Sequence, residues 1–152
     1  MKINTKTRYG IRSMIEIARE TDSNGIFQKE IASRQDLSIK YLDHIISALK
    51  AAELITNVKG KKSGYILTKP AKEITLLDIY TAFVPTPQVV DCINPNYSCE
   101  KSAHCAVKPF YTGLNRLIID YLRAFTLHQL LHNQANLEEA ESISFMPEQE
   151  CR

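Results

Sequence analysis

Three cysteines, Cys92, Cys99 and Cys105, form a C-x6-C-x5-C run inside fourteen residues. Thiolates are soft ligands that suit iron–sulfur clusters, zinc or copper(I). The run lacks the C-x2-C knuckle of zinc ribbons, and a closed site of either sort wants a fourth ligand. His104 adjoins the run, and Asp91 and Glu100 lie close to it in sequence. Two of the thiols could instead pair as a redox-switchable disulfide, or all three could stay free. Cys151, second from the end, reads as an incidental exposed thiol, and His128 and His132, four apart, as surface decoration of a helix.

A second set of residues has the chemistry of polyanion binding. The net charge of +2 hides an asymmetry: residues 1–72 carry fourteen Lys or Arg against seven Asp or Glu, and residues 73–152 carry five against ten. A basic half on an otherwise acidic chain fits one face that meets nucleic acid. The densest positive run is Lys59-Gly60-Lys61-Lys62, three lysines around one glycine. Each lysine that neutralises a phosphate would contribute through counterion release.

The elements that must position these groups follow from hydrophobic period and turn chemistry. Residues 5–20 read as a helix, with Tyr9, Ile11, Met14, Ile15, Ile17 and Ala18 at spacings of three and four and Thr5 as an available cap. Asp22-Ser23-Asn24-Gly25 breaks it. A short helix fits 28–34, and a third runs from about 39 to 52 behind a Ser38 N-cap. Leu42, Ile45, Ile46 and Leu49 give the third helix its buried stripe, which leaves Lys40, Tyr41, Asp43, His44 and Ser47 opposite. Two short helices joined by a tight turn, the second polar outside, describe a helix-turn-helix.

Residues 54–58 and 65–68 are β-prone, and the lysine run lies between them. Three helices and a hairpin make a winged helix-turn-helix. The expected fold is therefore mainly α with a small β-hairpin. Ser38, Lys40, Tyr41, Asp43 and His44 would meet base edges or phosphates of double-stranded DNA, and Lys59, Gly60, Lys61 and Lys62 would meet the backbone from the wing. A further short helix fits Ile74–Phe83. Residues 85–108 form an aperiodic loop that holds the three cysteines; a loop this long usually carries function.

A long helix should start near Pro109 and run to about 131 or 132, with residues 126–131 adding its last turn or forming a short final helix. Its stripe of Phe110, Leu114, Leu117, Ile118, Tyr121, Leu122 and Phe125 needs a partner, and a second copy of the chain is the expected one. Residues 133–152, with five Glu, read as an acidic, flexible tail. The expected division is thus 1–84 winged domain, 85–108 sensor loop, 109–132 dimerisation helix and 133–152 tail. No run is long and apolar enough to span a membrane, and the N-terminus lacks a signal-peptide core. With four cysteines the chain is no disulfide scaffold. A cytoplasmic, non-membrane protein is expected. No phosphate loop, nucleophile elbow or other catalytic constellation stands out, so an enzyme is not expected.

Read in order, Thr5-Lys6-Thr7-Arg8-Tyr9-Gly10-Ile11-Arg12-Ser13-Met14, Lys29-Glu30-Ile31-Ala32-Ser33-Arg34-Gln35, Ser38-Ile39-Lys40-Tyr41-Leu42, Leu54-Ile55, Gly60 through Leu67, Glu73-Ile74-Thr75-Leu76, the three cysteines and Thr126-Leu127 make the chain resemble the Rrf2-type winged-helix regulators, the family of IscR- and NsrR-like iron–sulfur-dependent regulators. The resemblance covers about residues 1–131. It implies a homodimeric DNA-binding transcription regulator. It also implies that Cys92, Cys99 and Cys105 hold a [2Fe–2S] or [4Fe–4S] cluster whose loss changes operator binding. Relatives draw a fourth ligand from a His three residues past the last Cys or from an acidic residue near the N-terminus. Here Lys108 and Lys6-Thr7-Arg8 occupy those places, which leaves His104 as the candidate. Two other readings compete: the same fold sensing by thiol oxidation, zinc or a protein partner without a cluster, and a small iron–sulfur redox protein with no affinity for DNA.

Overall fold

The structure, a computed structural model, describes residues 3–20, 22–60 and 63–144. Helix α1 (Thr5–Arg19) starts behind Asn4, whose Oδ1 accepts the Thr7 N–H at 2.8 Å. Asn4, not Thr5, is therefore the cap; Thr5 is already the first helical residue. Helix α2 (Gln28–Arg34) is closed at its start by Glu30, whose carboxylate accepts the Phe27 N–H at 2.8 Å. The turn to helix α3 (Ile39–Ala51) passes through Asp36 at φ 51°, a left-handed conformation that a short polar side chain tolerates. Leu42, Ile45, Ile46 and Leu49 of α3 are all buried, as their spacing requires.

Strands β1 (Ile55–Asn57) and β2 (Tyr65–Leu67) pair antiparallel, Ile55 opposite Leu67 and Asn57 opposite Tyr65. Ile26 bridges to Tyr65 and fastens the hairpin to the segment before α2. That junction needs glycine: a Cβ on Gly64 would lie 2.5 Å from the backbone of Gly25. One core unites α1, α2, α3, the hairpin and helix α4 (Leu76–Thr81), around Met14, Ile26, Ile31, Leu42, Ile45, Leu49, Ile74 and Ile79. Burial of this kind contributes about 25 cal/mol per Å² of apolar surface, so truncating any of these to Ala costs roughly 2–5 kcal/mol.

The C-terminal third departs from expectation in two ways. Helix α5 spans Lys108–Ala124 and stops short of residue 132, so the segment that follows starts a separate helix rather than adding a turn. The backbone explains the break. Leu76 N–H donates to Phe125 O, and Leu127 N–H to Ile74 O, both at 2.8 Å. Thr126 thus pairs with Thr75 in a short antiparallel bridge, and the peptide groups that would carry the helix onward are engaged elsewhere.

Helix α6 then begins at Leu127 and reaches Ser144. Residues 133–144 are therefore helical, not a flexible tail; the rest of the expected tail, with Cys151, lies outside the described residues. Helix α6 lies along α1, where Arg19 forms a two-pronged ion pair with Glu138 at 2.8 and 2.9 Å. Leu127 is fully buried in the winged domain's core, so a unit cut at residue 84 would lack part of its own interior.

The segment 85–107 is not featureless. It contains two short 3-10 turns, Asp91–Ile93 and Ser102–His104. It is tied to α5 by the Val89 N–H, which donates to Asn115 Oδ1 at 3.0 Å. No helix among the described residues is long and apolar enough to cross a membrane.

Candidate nucleic-acid interface and cysteine loop

The outward face of α3 carries Lys40, Asp43 and His44, all exposed. Ser38 does what its position at the helix start requires: its Oγ accepts the Tyr41 N–H at 3.2 Å. The side chain is exposed, and its hydroxyl hydrogen and second lone pair stay available for a base or phosphate contact. Tyr41 is set deeper than its neighbours on this face. It is half-buried, packs on the core and meets Tyr9 edge-on at 6.0 Å between ring centroids. Lys59 and Gly60 are exposed at the hairpin tip, and Gly60 takes φ 143°. Lys61 and Lys62 lie outside the described residues.

Sequence reasoning missed the neighbours of this face. Phe27 and Ile39 are exposed apolar side chains, 40% and 46% accessible. With Gln28, Lys29, Ser63 and Tyr65 they line an open cleft between the starts of α2 and α3 and the wing. Gln28 bridges all three elements. Its Nε2 donates to Asp43 Oδ1 at 2.5 Å, and its Oε1 accepts from the Tyr65 hydroxyl at 3.3 Å. Burial, with the Asp43 carboxylate beside it, pushes the Tyr65 phenol above its ordinary range. The clue in the sequence was a polar Gln opening a helix otherwise predicted from Ile31 and Ala32.

Cys92, Cys99 and Cys105 are free thiols, each partly accessible. Cys92 lies in the first 3-10 turn and Cys105 just after the second. His104 is exposed. Among the described residues, no three Cys, His, Asp or Glu side chains come together as a metal-holding group. The donor set thus fits a thiophilic centre in its chemistry, with three unpaired thiols on one anchored loop, and the four-ligand set expected from sequence is not gathered in this conformation. Lys108, at the start of α5, donates to Ser102 Oγ and so holds the second turn against the helix.

Helix α5 divides its expected apolar stripe between two faces. Leu122 is buried, and Ile118 and Phe125 are half-buried. Phe110, Leu114, Leu117 and Tyr121 are exposed, at 65%, 37%, 69% and 65%, and Val107 joins them at 53%. Their spacing of 3, 4, 3 and 4 is a heptad seam.

Comparison with known proteins agrees with this architecture. The Rrf2 family, described as iron-dependent transcriptional regulators, matches residues 3–133. The chain is 32% identical to protein rrf2 of Nitratidesulfovibrio vulgaris over 133 residues, 88% of this chain and 89% of that one. Among solved structures, T. potens IscR superposes with a TM-score of 0.67 at 25% identity, covering 97% of this chain and 93% of that one. CymR, the global cysteine regulator of B. subtilis, superposes with a TM-score of 0.70 at 27% identity, covering 88% and 98%. The winged-helix architecture is shared with both. By sequence match and by fold, the chain belongs to the Rrf2 family of transcriptional regulators.

Proposed function

We propose that the chain acts as a homodimer on double-stranded DNA and that the state of the Cys92–Cys99–Cys105 loop sets its operator affinity. The observation that carries the DNA assignment is the exposed polar face of α3 set beside the basic wing. A helix presented in this way fits the major groove, and the wing then lies against the adjacent backbone. Lys40 would serve phosphate or a guanine edge, Asp43 a cytosine or adenine amino group, and His44 either. The α5 seam supplies the second copy, which fixes the spacing of two half-sites along the duplex.

For the loop, the three free thiols favour an iron–sulfur cluster, [2Fe–2S] or [4Fe–4S], which would supply a lability to iron supply, oxidation or nitric oxide. Cys92, Cys99 and Cys105 would be its protein ligands, with His104 as the candidate fourth. Because the thiols are not gathered in this conformation, ligation would reshape residues 85–107. That loop bears directly on α5 through Val89 and Asn115, so a change in the loop reaches the helix that spaces the two winged domains.

A second reading rests on the same thiols. They are unpaired and accessible, so oxidation alone could switch the loop, and the likeness to a cysteine regulator supports that reading. Anaerobic purification followed by iron, sulfide and zinc analysis separates the two. Iron and sulfide near two or four per chain, lost in C99A, support the cluster. A metal-free chain whose DNA affinity still responds to a thiol oxidant refutes the cluster and keeps the regulator.

A further inference from the structure

We propose that Gln28 is a positioning residue for sequence readout: it aims the Asp43 carboxylate and so narrows the base that Asp43 selects. The inference rests on the DNA reading above. A carboxylate on a DNA-facing helix only accepts hydrogen bonds. It therefore favours the amino edges of cytosine and adenine and opposes the acceptor edges of guanine and thymine. An Asp free to rotate would spread that preference over neighbouring base pairs, whereas one held in a single direction reads one.

The structure supplies the restraint. Gln28 Nε2 donates to Asp43 Oδ1 and also to Ile39 O, at 2.5 and 3.4 Å, while Gln28 Oε1 accepts from the Tyr65 hydroxyl at 3.3 Å. Both donors and the acceptor of the amide are thus used, so turning the side chain breaks at least one of these bonds. The far anchor is firm as well. Tyr65 is paired within β2 and bridged to Ile26, and Lys50 lies 5.7 Å above its ring. One residue of α2 therefore fixes a carboxylate of α3 relative to the wing. Asp43 keeps its second oxygen for a base, since only Oδ1 is engaged by Gln28.

The test begins with duplexes enriched by the full-length wild-type chain from a random-sequence DNA pool. Binding of the enriched duplex and of its single-base variants is then measured for wild type, Q28L, D43N and the double variant, with thermal melts confirming that each is folded. Q28L and D43N should flatten discrimination at the same base pair, each by about three- to tenfold. The double variant should be no flatter than D43N alone. A Q28L chain that loses affinity equally for every duplex, or effects that multiply in the double variant, would overturn the proposal. Enrichment by wild type with an unchanged D43N profile would sink this inference and leave the DNA reading intact. No enrichment by wild type would sink both.

Discussion

Replacing Leu117 by Glu should separate the two copies of the chain while leaving each one folded. Leu117 lies at the centre of the α5 seam with 69% of its surface exposed. Full burial of a leucine side chain stabilises by about 1.5–3 kcal/mol, so covering the exposed two-thirds contributes about 1–2 kcal/mol. A twofold interface counts the residue twice, giving about 2–4 kcal/mol, or roughly 30- to 700-fold in the dimer dissociation constant. That is a lower bound, because two carboxylates would also have to enter the seam. The monomer should barely notice: Glu is nearly as good a helix former as Leu, and exposed substitutions usually cost within about 0.5 kcal/mol. Sedimentation velocity over a concentration series reads the effect directly. Wild type should sediment as a dimer at micromolar concentration and L117E as a monomer with an unchanged helical spectrum. Identical sedimentation of the two would refute the assignment of this face.

Other expectations follow from single contacts. A Cβ on Gly10 would lie 2.2 Å from the ring of Phe83, so G10A should lower stability by about 1–3 kcal/mol, read by denaturant melts, with the C-terminal end of α4 displaced from α1. Hydrogen bonds from Gln134 and Arg19 hold the Glu138 carboxyl below the usual carboxylate range. The tie between α1 and α6 should therefore be present at neutral pH and be lost as pH falls through that lowered value. E138Q should abolish this part of the acid response in pH-dependent melts, and an unchanged acid response would count against the tie. Neutralising Lys59 by K59A should weaken binding to all duplexes alike and reduce the slope of log affinity against log salt by about two, one for each protomer, as titrations at several salt concentrations would show.

The winged domain was legible because its signals are local and mutually consistent. Ser38 before a 3.6-period stripe, a turn-former cluster at 22–25 and a lysine-glycine tip between β-prone runs each demanded one element. The α5–α6 break was harder to read. Apolar residues continue through Phe125 and Leu127 without a Gly or Pro, and the interruption comes from the bridge of Thr126 to Thr75, fifty-one residues earlier. A local clue did exist: Thr126 and Gln129 form a capping box, with the Gln129 Oε1 accepting the Thr126 N–H at 2.8 Å. The glutamates at 138, 139 and 141 made the last stretch look like a solvated tail, since a sequence read one segment at a time cannot show Arg19 waiting on α1. At the site, Lys40, Asp43, His44 and Lys59 are exposed as their face demanded. Tyr41 turned inward because Tyr9 supplies a ring to pack on, and Gln28 entered only through contacts eleven, fifteen and thirty-seven residues away in sequence.

The central claim is that the cysteine loop controls DNA affinity, and it is tested most directly by titrating one wild-type-selected duplex with anaerobically purified wild-type and C99A chains. Both should be dimeric and folded, and their affinities for that duplex should differ by at least about tenfold. Equal affinities both without oxygen and after identical treatment of the two chains with a thiol oxidant would contradict the claim.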